Sequence, residues 1–309
     1  MTHSPVEAGF STRKPPAQGS KAVNLSVISR QESRTDVTAK AIPPDTTTIE
    51  DEYRKHEGPP PGAWLLALEF RAPWEFGALL PAWPLLMRAP KGDGHPVIVF
   101  PGLSASDGST LPLRNYLGTR NYDVSGWNQG HNFGPRAGVL EAASHQVAEA
   151  FLAAGRRKVS LIGWSLGGIY ARELAKLHPE WVRCVITLGT PFAGAPNSTN
   201  AWRLFSLTSG RSPHDHPMQF DLPAAPPVPT TSIYSRTDGI VAWQGSIQQP
   251  SRRNRNTENI EVIASHLGIG MNPSALWAVA DRLAQPEGAW KPFARKSGIG
   301  GLLYPDPNR

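Results

Sequence analysis

Cysteine, one-signed charge and long apolar runs are all scarce in this 309-residue sequence. With Cys184 as the single cysteine, an internal disulfide framework and a cysteine-rich zinc site are both excluded. No stretch approaches the roughly 18 apolar residues that a membrane-crossing helix needs. The most apolar region, 63–87, is interrupted by Glu69, Arg71 and Glu75 and by Pro73, Pro81 and Pro84. The first residues, MTHSPVEAGFSTRKPP, hold no hydrophobic segment of a secretory signal, so a cytoplasmic location and no transmembrane segment are expected. The net charge is only +6, and the one basic cluster, Arg252, Arg253 and Arg255, lacks interleaved aromatics. Nucleic acid is therefore not an expected partner. There is no internal repeat and no G-x-y period, which excludes solenoids and collagen.

What is abundant is turn chemistry, with 29 glycines and 31 prolines, beside 39% hydrophobic residues, enough for a full core. Residues 1–58 are rich in Ser, Thr, Lys, Pro and Gln without sustained periodicity and read as a flexible tail, closed by the PPPG at Pro59–Gly62. From residue 63 apolar, β-branched segments alternate with helical patterns, which predicts βα units and an α/β fold with a mainly parallel sheet flanked by helices. The strands are expected at Pro96–Phe100, Tyr122–Trp127, Lys158–Gly163, Cys184–Leu188, Thr230–Tyr234 and Asn259–Ala264. Helices are expected at Leu111–Thr119, Gly138–Ala154, Leu166–His178 and Pro273–Ala284, with one or two amphipathic helices over Trp64–Met87 packed on the core. About forty residues separate the fourth strand from the fifth. A loop that long is unusual, and the segment 192–229, which includes the short apolar run Ala201–Leu207, is expected to form a lid or cap over the carboxyl ends of the strands.

The chemistry concentrates in Gly163-Trp164-Ser165-Leu166-Gly167, directly after the apolar strand VSLI and at the head of a helical pattern. That strand–turn–helix context is what a nucleophile elbow requires. The turn is so tight that glycine is needed two positions to either side of the serine, at Gly163 and Gly167. A serine hydroxyl needs a base to take its proton, and the base needs a carboxylate to fix its tautomer. His266, the only histidine after residue 216, follows the last strand. Asp238, in the Asp-Gly turn after the fifth strand, is the candidate acid, with Asp215 and Asp221 as rivals in the insertion. Backbone donors for an oxyanion are expected from Leu166, next to the serine, and from Leu103, in the turn PGLS after the first strand.

The segments PVIVFPGL (96–103), LIGWSLGGIYAREL (161–174), ITLGTPFAGAP (186–196), IYSRTDGIVAW (233–243) and ASHLGIG (264–270) resemble the α/β hydrolases of the bacterial lipase and esterase type. The resemblance implies Ser165 as nucleophile, Asp238 as acid, His266 as base, and Leu103 and Leu166 as oxyanion donors. It implies hydrolysis of carboxylic esters, small or lipid-like, without a cofactor or a metal. Phe192 stands where the lipase G-T-P-H-x-G stretch has its histidine, and His214-Asp215-His216 is not expected to hold a metal. Trp164, Phe192, Trp202 and Phe205 are candidate walls of an acyl pocket. An acyltransferase or thioesterase with the same triad, and a silent binding protein on the same fold, remain open on the residues alone. So does the oligomeric state.

Overall fold

The computed structural model describes residues 59–193, 221–249, 254–295 and 299–307, all within the unit Asp45–Arg309. The tail, most of the insertion with Trp202, Phe205, His214, Asp215 and His216, and Arg252 and Arg253 lie outside the described residues. Six strands form one sheet: β1 (Pro96–Phe100), β2 (Asp123–Gly126), β3 (Val159–Trp164), β4 (Val182–Leu188), β5 (Thr230–Tyr234) and β6 (Thr257–Glu261). Their order is β2-β1-β3-β4-β5-β6, and every neighbouring pair is parallel.

A parallel sheet has both faces covered, so its strands read as unbroken apolar runs; β1, β3 and β5 are buried at every position. The period of two sorts their side chains between two cores. Val97, Val99, Ile162 and Ile186 face one layer, made by α3 (Leu79–Leu86), α4 (Asp107–Thr119) and α7 (Pro273–Leu283). Ile98, Phe100, Val159, Leu161 and Val185 face the other, made by α5 (Val139–Ala153) and α6 (Leu166–Leu177). The strand order reverses between β1 and β3, and ligands of open α/β sheets bind at the carboxyl ends beside such a reversal. The loop 101–105 and Ser165 both lie there.

Element boundaries depart from expectation where a strand or helix end is decided by a side chain. β2 is shorter than predicted because the Trp127 N–H, instead of joining a ladder, donates to Asp107 Oδ1 at 2.9 Å. β6 begins two residues early and stops at Glu261; Val262 and Ala264 are buried as the loop that leads to His266. α4 starts at Asp107, four residues before the expected Leu111, and carries Pro112 inside it. α7 starts as predicted because Asn272 caps it, accepting from the Ser274 and Ala275 N–H groups ahead of Pro273.

The largest departure is in 63–87. Instead of one or two helices with an apolar face on the core, the chain forms α1 (Ala63–Ala67), a 3₁₀ turn (Leu68–Arg71), α2 (Ala72–Gly77) and α3. Trp64, Phe70 and Trp74 are 75%, 86% and 80% exposed, whereas Glu69 is buried. The inner face of α1, the 3₁₀ turn and α2 meets loop backbone whose N–H groups need acceptors, so the carboxylates turn inward and the aromatic rings outward.

Candidate active site

Ser165 occupies the single position between β3 and α6, with φ 53° and ψ −123°. That conformation is strained for a residue with a Cβ, and it points the side chain away from both flanking elements. The elbow explains its glycines: a Cβ on Gly163 would stand 2.2 Å from Gly168 Cα, and one on Gly167 would stand 2.3 Å from the Phe100 carbonyl oxygen. The helix N-terminus below Ser165 favours negative charge there.

Three side chains from three loops then line up. Ser165 Oγ lies 3.0 Å from His266 Nε2, and His266 Nδ1 lies 2.7 Å from Asp238 Oδ2. The carboxylate can only accept, so Nδ1 carries the ring proton and the Nε2 lone pair faces the serine. Asp238 Oδ1 accepts from the Ile240 and Val241 N–H groups at 2.8 and 2.7 Å, which holds the carboxylate in place. The serine, acid and histidine are 7%, 3% and 4% exposed. Burial pulls the His266 imidazole down, but the adjacent Asp238 carboxylate, helped by Glu69, outweighs it, so the net direction is above the ordinary histidine value.

The turn after β1 packs on the serine: a Cβ at Gly102 would be 3.3 Å from Ser165 Cβ. Among the described residues neither the Leu103 nor the Leu166 N–H has a hydrogen-bond partner. The loop is clasped from behind by Asn132, fully buried, whose Nδ2 donates to the Pro101 carbonyl at 2.8 Å and whose carbonyl accepts from the Ser104 N–H at 2.6 Å. Gly189, at φ +56°, lies under the Asp–His pair; a Cβ there would sit 3.1 Å from His266 Nδ1 and 3.2 Å from Asp238 Oδ2.

Two of the candidate pocket walls, Trp164 and Phe192, are buried. Trp164 is buried in the core, and its indole N–H donates to the His266 carbonyl at 3.0 Å, so it supports the histidine loop from below. Phe192 is fully buried with the Arg172 guanidinium 3.7 Å above its ring. Close packing and the cation–π contact use the faces that a pocket wall would need free. Asp221, the rival acid, is on the far side of α6, where its backbone carbonyl accepts from Lys176 Nζ at 2.7 Å.

Sequence reasoning missed Glu69, Glu75 and Asn132. The carboxylates stand in an apolar run and pair with loops more than 160 residues away. A second Asp–His–Ser array also went unnoticed at the opposite end of β3: Asp93 Oδ1 to His95 Nδ1 at 2.6 Å, and His95 Nε2 to Ser160 Oγ at 2.7 Å. Among the described residues no group of three or more His, Cys, Asp or Glu could hold a metal ion.

A parallel sheet in this order, with a strained serine at the end of β3 and a histidine beyond β6, defines a class. Residues 95–236 match the family model described as the alpha/beta hydrolase fold, and the parallel sheet flanked by helices is that of the α/β-hydrolase fold. It is 30% identical over 103 residues, 32% of its length, to the pimeloyl-[acyl-carrier protein] methyl ester esterase of Klebsiella pneumoniae, and spans only 38% of that relative. Among solved structures it is similar to an alpha/beta superfamily hydrolase from Oenococcus oeni, at 17% identity and TM-score 0.45 over 62% of this chain and 91% of that one. It is also similar to naproxen esterase (carboxylesterase NP) from Bacillus subtilis, at 16% identity and TM-score 0.43 over 63% of this chain and 85% of that one. Among the described residues no helix is long and apolar enough to cross a membrane.

Proposed function

We propose that the chain is a serine hydrolase of carboxylic esters, working through Ser165, His266 and Asp238. The observation that carries the reading is the unbroken line Ser165 Oγ–His266 Nε2 and Nδ1–Asp238 Oδ2, at 3.0 and 2.7 Å, ending on a serine at positive φ. Ser165 Oγ attacks the ester carbonyl while His266 Nε2 takes its proton. Asp238 holds the tautomer and stabilises the imidazolium. The Leu103 and Leu166 N–H groups receive the negative oxygen of the tetrahedral intermediate. Collapse expels the alcohol, which leaves with the proton from His266. Water, deprotonated by the same nitrogen, then releases the acid and restores the serine. The stretch shared with a methyl ester esterase is in keeping with an ester substrate.

The test is a stopped-flow assay with a short p-nitrophenyl ester. The native chain should release a burst of p-nitrophenol equal to one acyl group per protein. Ser165→Ala should remove both burst and turnover, a loss on the order of 10⁶-fold in kcat. A folded Ser165→Ala chain that still turns over the ester at the native rate would overturn the assignment.

A further inference from the structure

The segment 63–77 contributes no side chain to the line from serine to acid, yet its carboxylates hold two of the three loops that build it. Ser265, His266 and Leu267 present three successive backbone N–H groups. They donate to Glu75 Oε1 at 2.7 Å, Glu69 Oε1 at 2.9 Å and Glu69 Oε2 at 2.9 Å. Glu69 Oε1 also accepts from the Gly239 N–H at 2.8 Å, next to Asp238. One buried oxygen therefore ties the acid turn to the base loop. Arg71 completes the bracket, with Nε on Glu75 Oε1 at 3.0 Å and Nη2 on the Thr237 carbonyl at 2.9 Å. The fit is close: a Cβ on Gly239 would stand 2.2 Å from the Leu65 carbonyl oxygen.

We infer that Glu69 is a positioning residue for the proposed ester hydrolysis: it fixes His266 and Asp238 relative to each other through their backbones and adds a negative charge beside the imidazole. The inference rests on the triad reading above. A carboxylate received by a run of backbone N–H groups is a strong, geometrically fixed contact, and a misplacement of about 1 Å in a reacting group can cost on the order of 10²-fold in rate. The groups that face His266 are Asp238 from the acid turn, Ser165 from the elbow, Glu69 from the 3₁₀ turn, and Glu75 behind Ser265. Glu75 is paired with Arg71. Removing the Glu69 charge therefore takes away a field that raises the imidazole and leaves Asp238 as the carboxylate beside the ring.

Glu69→Gln keeps the size, removes the charge and turns one acceptor into a donor that faces an N–H. Glu69→Asp keeps the charge and shortens the reach. Both are measured in the full chain beside Ser165→Ala, with kcat and KM for one short p-nitrophenyl ester across about pH 5 to 9 and a thermal melt of each. Glu69→Gln should lower kcat on the order of 10²-fold at unchanged KM and move the acid limb to lower pH. Glu69→Asp should lower kcat with the acid limb where the native chain has it. A folded Glu69→Gln chain with native kcat, or with reduced kcat and an unmoved acid limb, overturns the inference. If Glu69→Gln does not fold, Glu69→Asp decides: reduced kcat with the native acid limb supports positioning, and native kcat overturns it. Activity surviving in Ser165→Ala would instead sink the triad reading itself.

Discussion

Ser160 and Ser165 stand near the two ends of one strand, each hydrogen-bonded to a histidine that meets an aspartate. The arrays differ in what else touches them. Asp93 is half exposed and also binds Arg183 at 2.7 Å and Arg157 at 3.2 Å, and Arg183 Nη1 lies 3.1 Å from His95 Nδ1. Burial therefore prevails at His95, and its imidazole is held below the ordinary value. Among the described residues no cation shares Asp238 in this way, a second carboxylate backs His266, and its direction is upward. Ser160 is also fully buried inside the sheet, while Ser165 stands on the elbow. Ser160→Ala should accordingly leave kcat within a few-fold of native, against roughly 10⁶ for Ser165→Ala; a titration of active sites in both variants checks it. Asp238→Asn should cost about 10⁴ in kcat, because an amide donor facing Nδ1 favours the wrong tautomer. Asp221→Asn should be mild, since Asp221 sits beside Arg172, Lys176 and Ala224 and makes no hydrogen bond to His266. Reversed outcomes for the two aspartates would move the acid to the insertion. Because only neutral imidazole can take the serine proton, activity should rise with pH. The midpoint should lie above the histidine reference of about 6.5, measured as kcat/KM against pH.

At the scale of elements, the parts legible in the sequence are those set by short-range rules. β1 and β5 fall on the expected residues because a short run dominated by β-branched and aromatic residues, next to a proline, has one reading. The elbow is legible because its glycines answer a local steric demand. The segment 63–77 was not: its apolar residues predict a face on the core, whereas what its inner face meets is backbone donors from residues 239 and 265–267. No window of sequence contains both partners, so a strap held by two glutamates reads as a poor amphipathic helix. The wall candidates are no more legible, since an aromatic side chain next to a reactive one reads the same whether it lines a pocket or, like Trp164, supports a loop from the core. A truncation series separates these readings. A chain starting at Pro59 should keep the native kcat. One starting at Leu79 keeps α3, with Leu86 in the core, but loses Glu69, Arg71 and Glu75. It should lose most of its turnover while its melt stays cooperative. Native turnover in the shorter chain would show the strap to be dispensable.

For the whole molecule, the raised His266 imidazole sets activity and stability against each other. The native state binds the proton on this ring more tightly than the unfolded chain does. The Asp238–imidazolium pair therefore stabilises the fold fully below the unfolded histidine value of about 6.5. That increment is lost as pH rises through the higher folded value. Catalysis has the opposite requirement, because the ring must be neutral to accept from Ser165. On the proposed mechanism the chain should thus gain activity over the interval in which it gives up this contribution to stability. His266→Gln isolates the effect, since it cannot take the proton and is close in size. The melting temperature of the native chain minus that of His266→Gln should be larger at about pH 5.5 than at about pH 9, and the fall should follow the acid limb of the activity profile. Titrating groups remote from the ring occur in both chains and cancel in the difference, which leaves the ring and the carboxylates coupled to it, Asp238 and Glu69. A gap that widens with rising pH would mean that burial outweighs Asp238 and Glu69 and that the folded ring binds its proton less tightly than the unfolded one. The acid limb would then have to lie below the ordinary histidine value, so the two measurements must agree in direction.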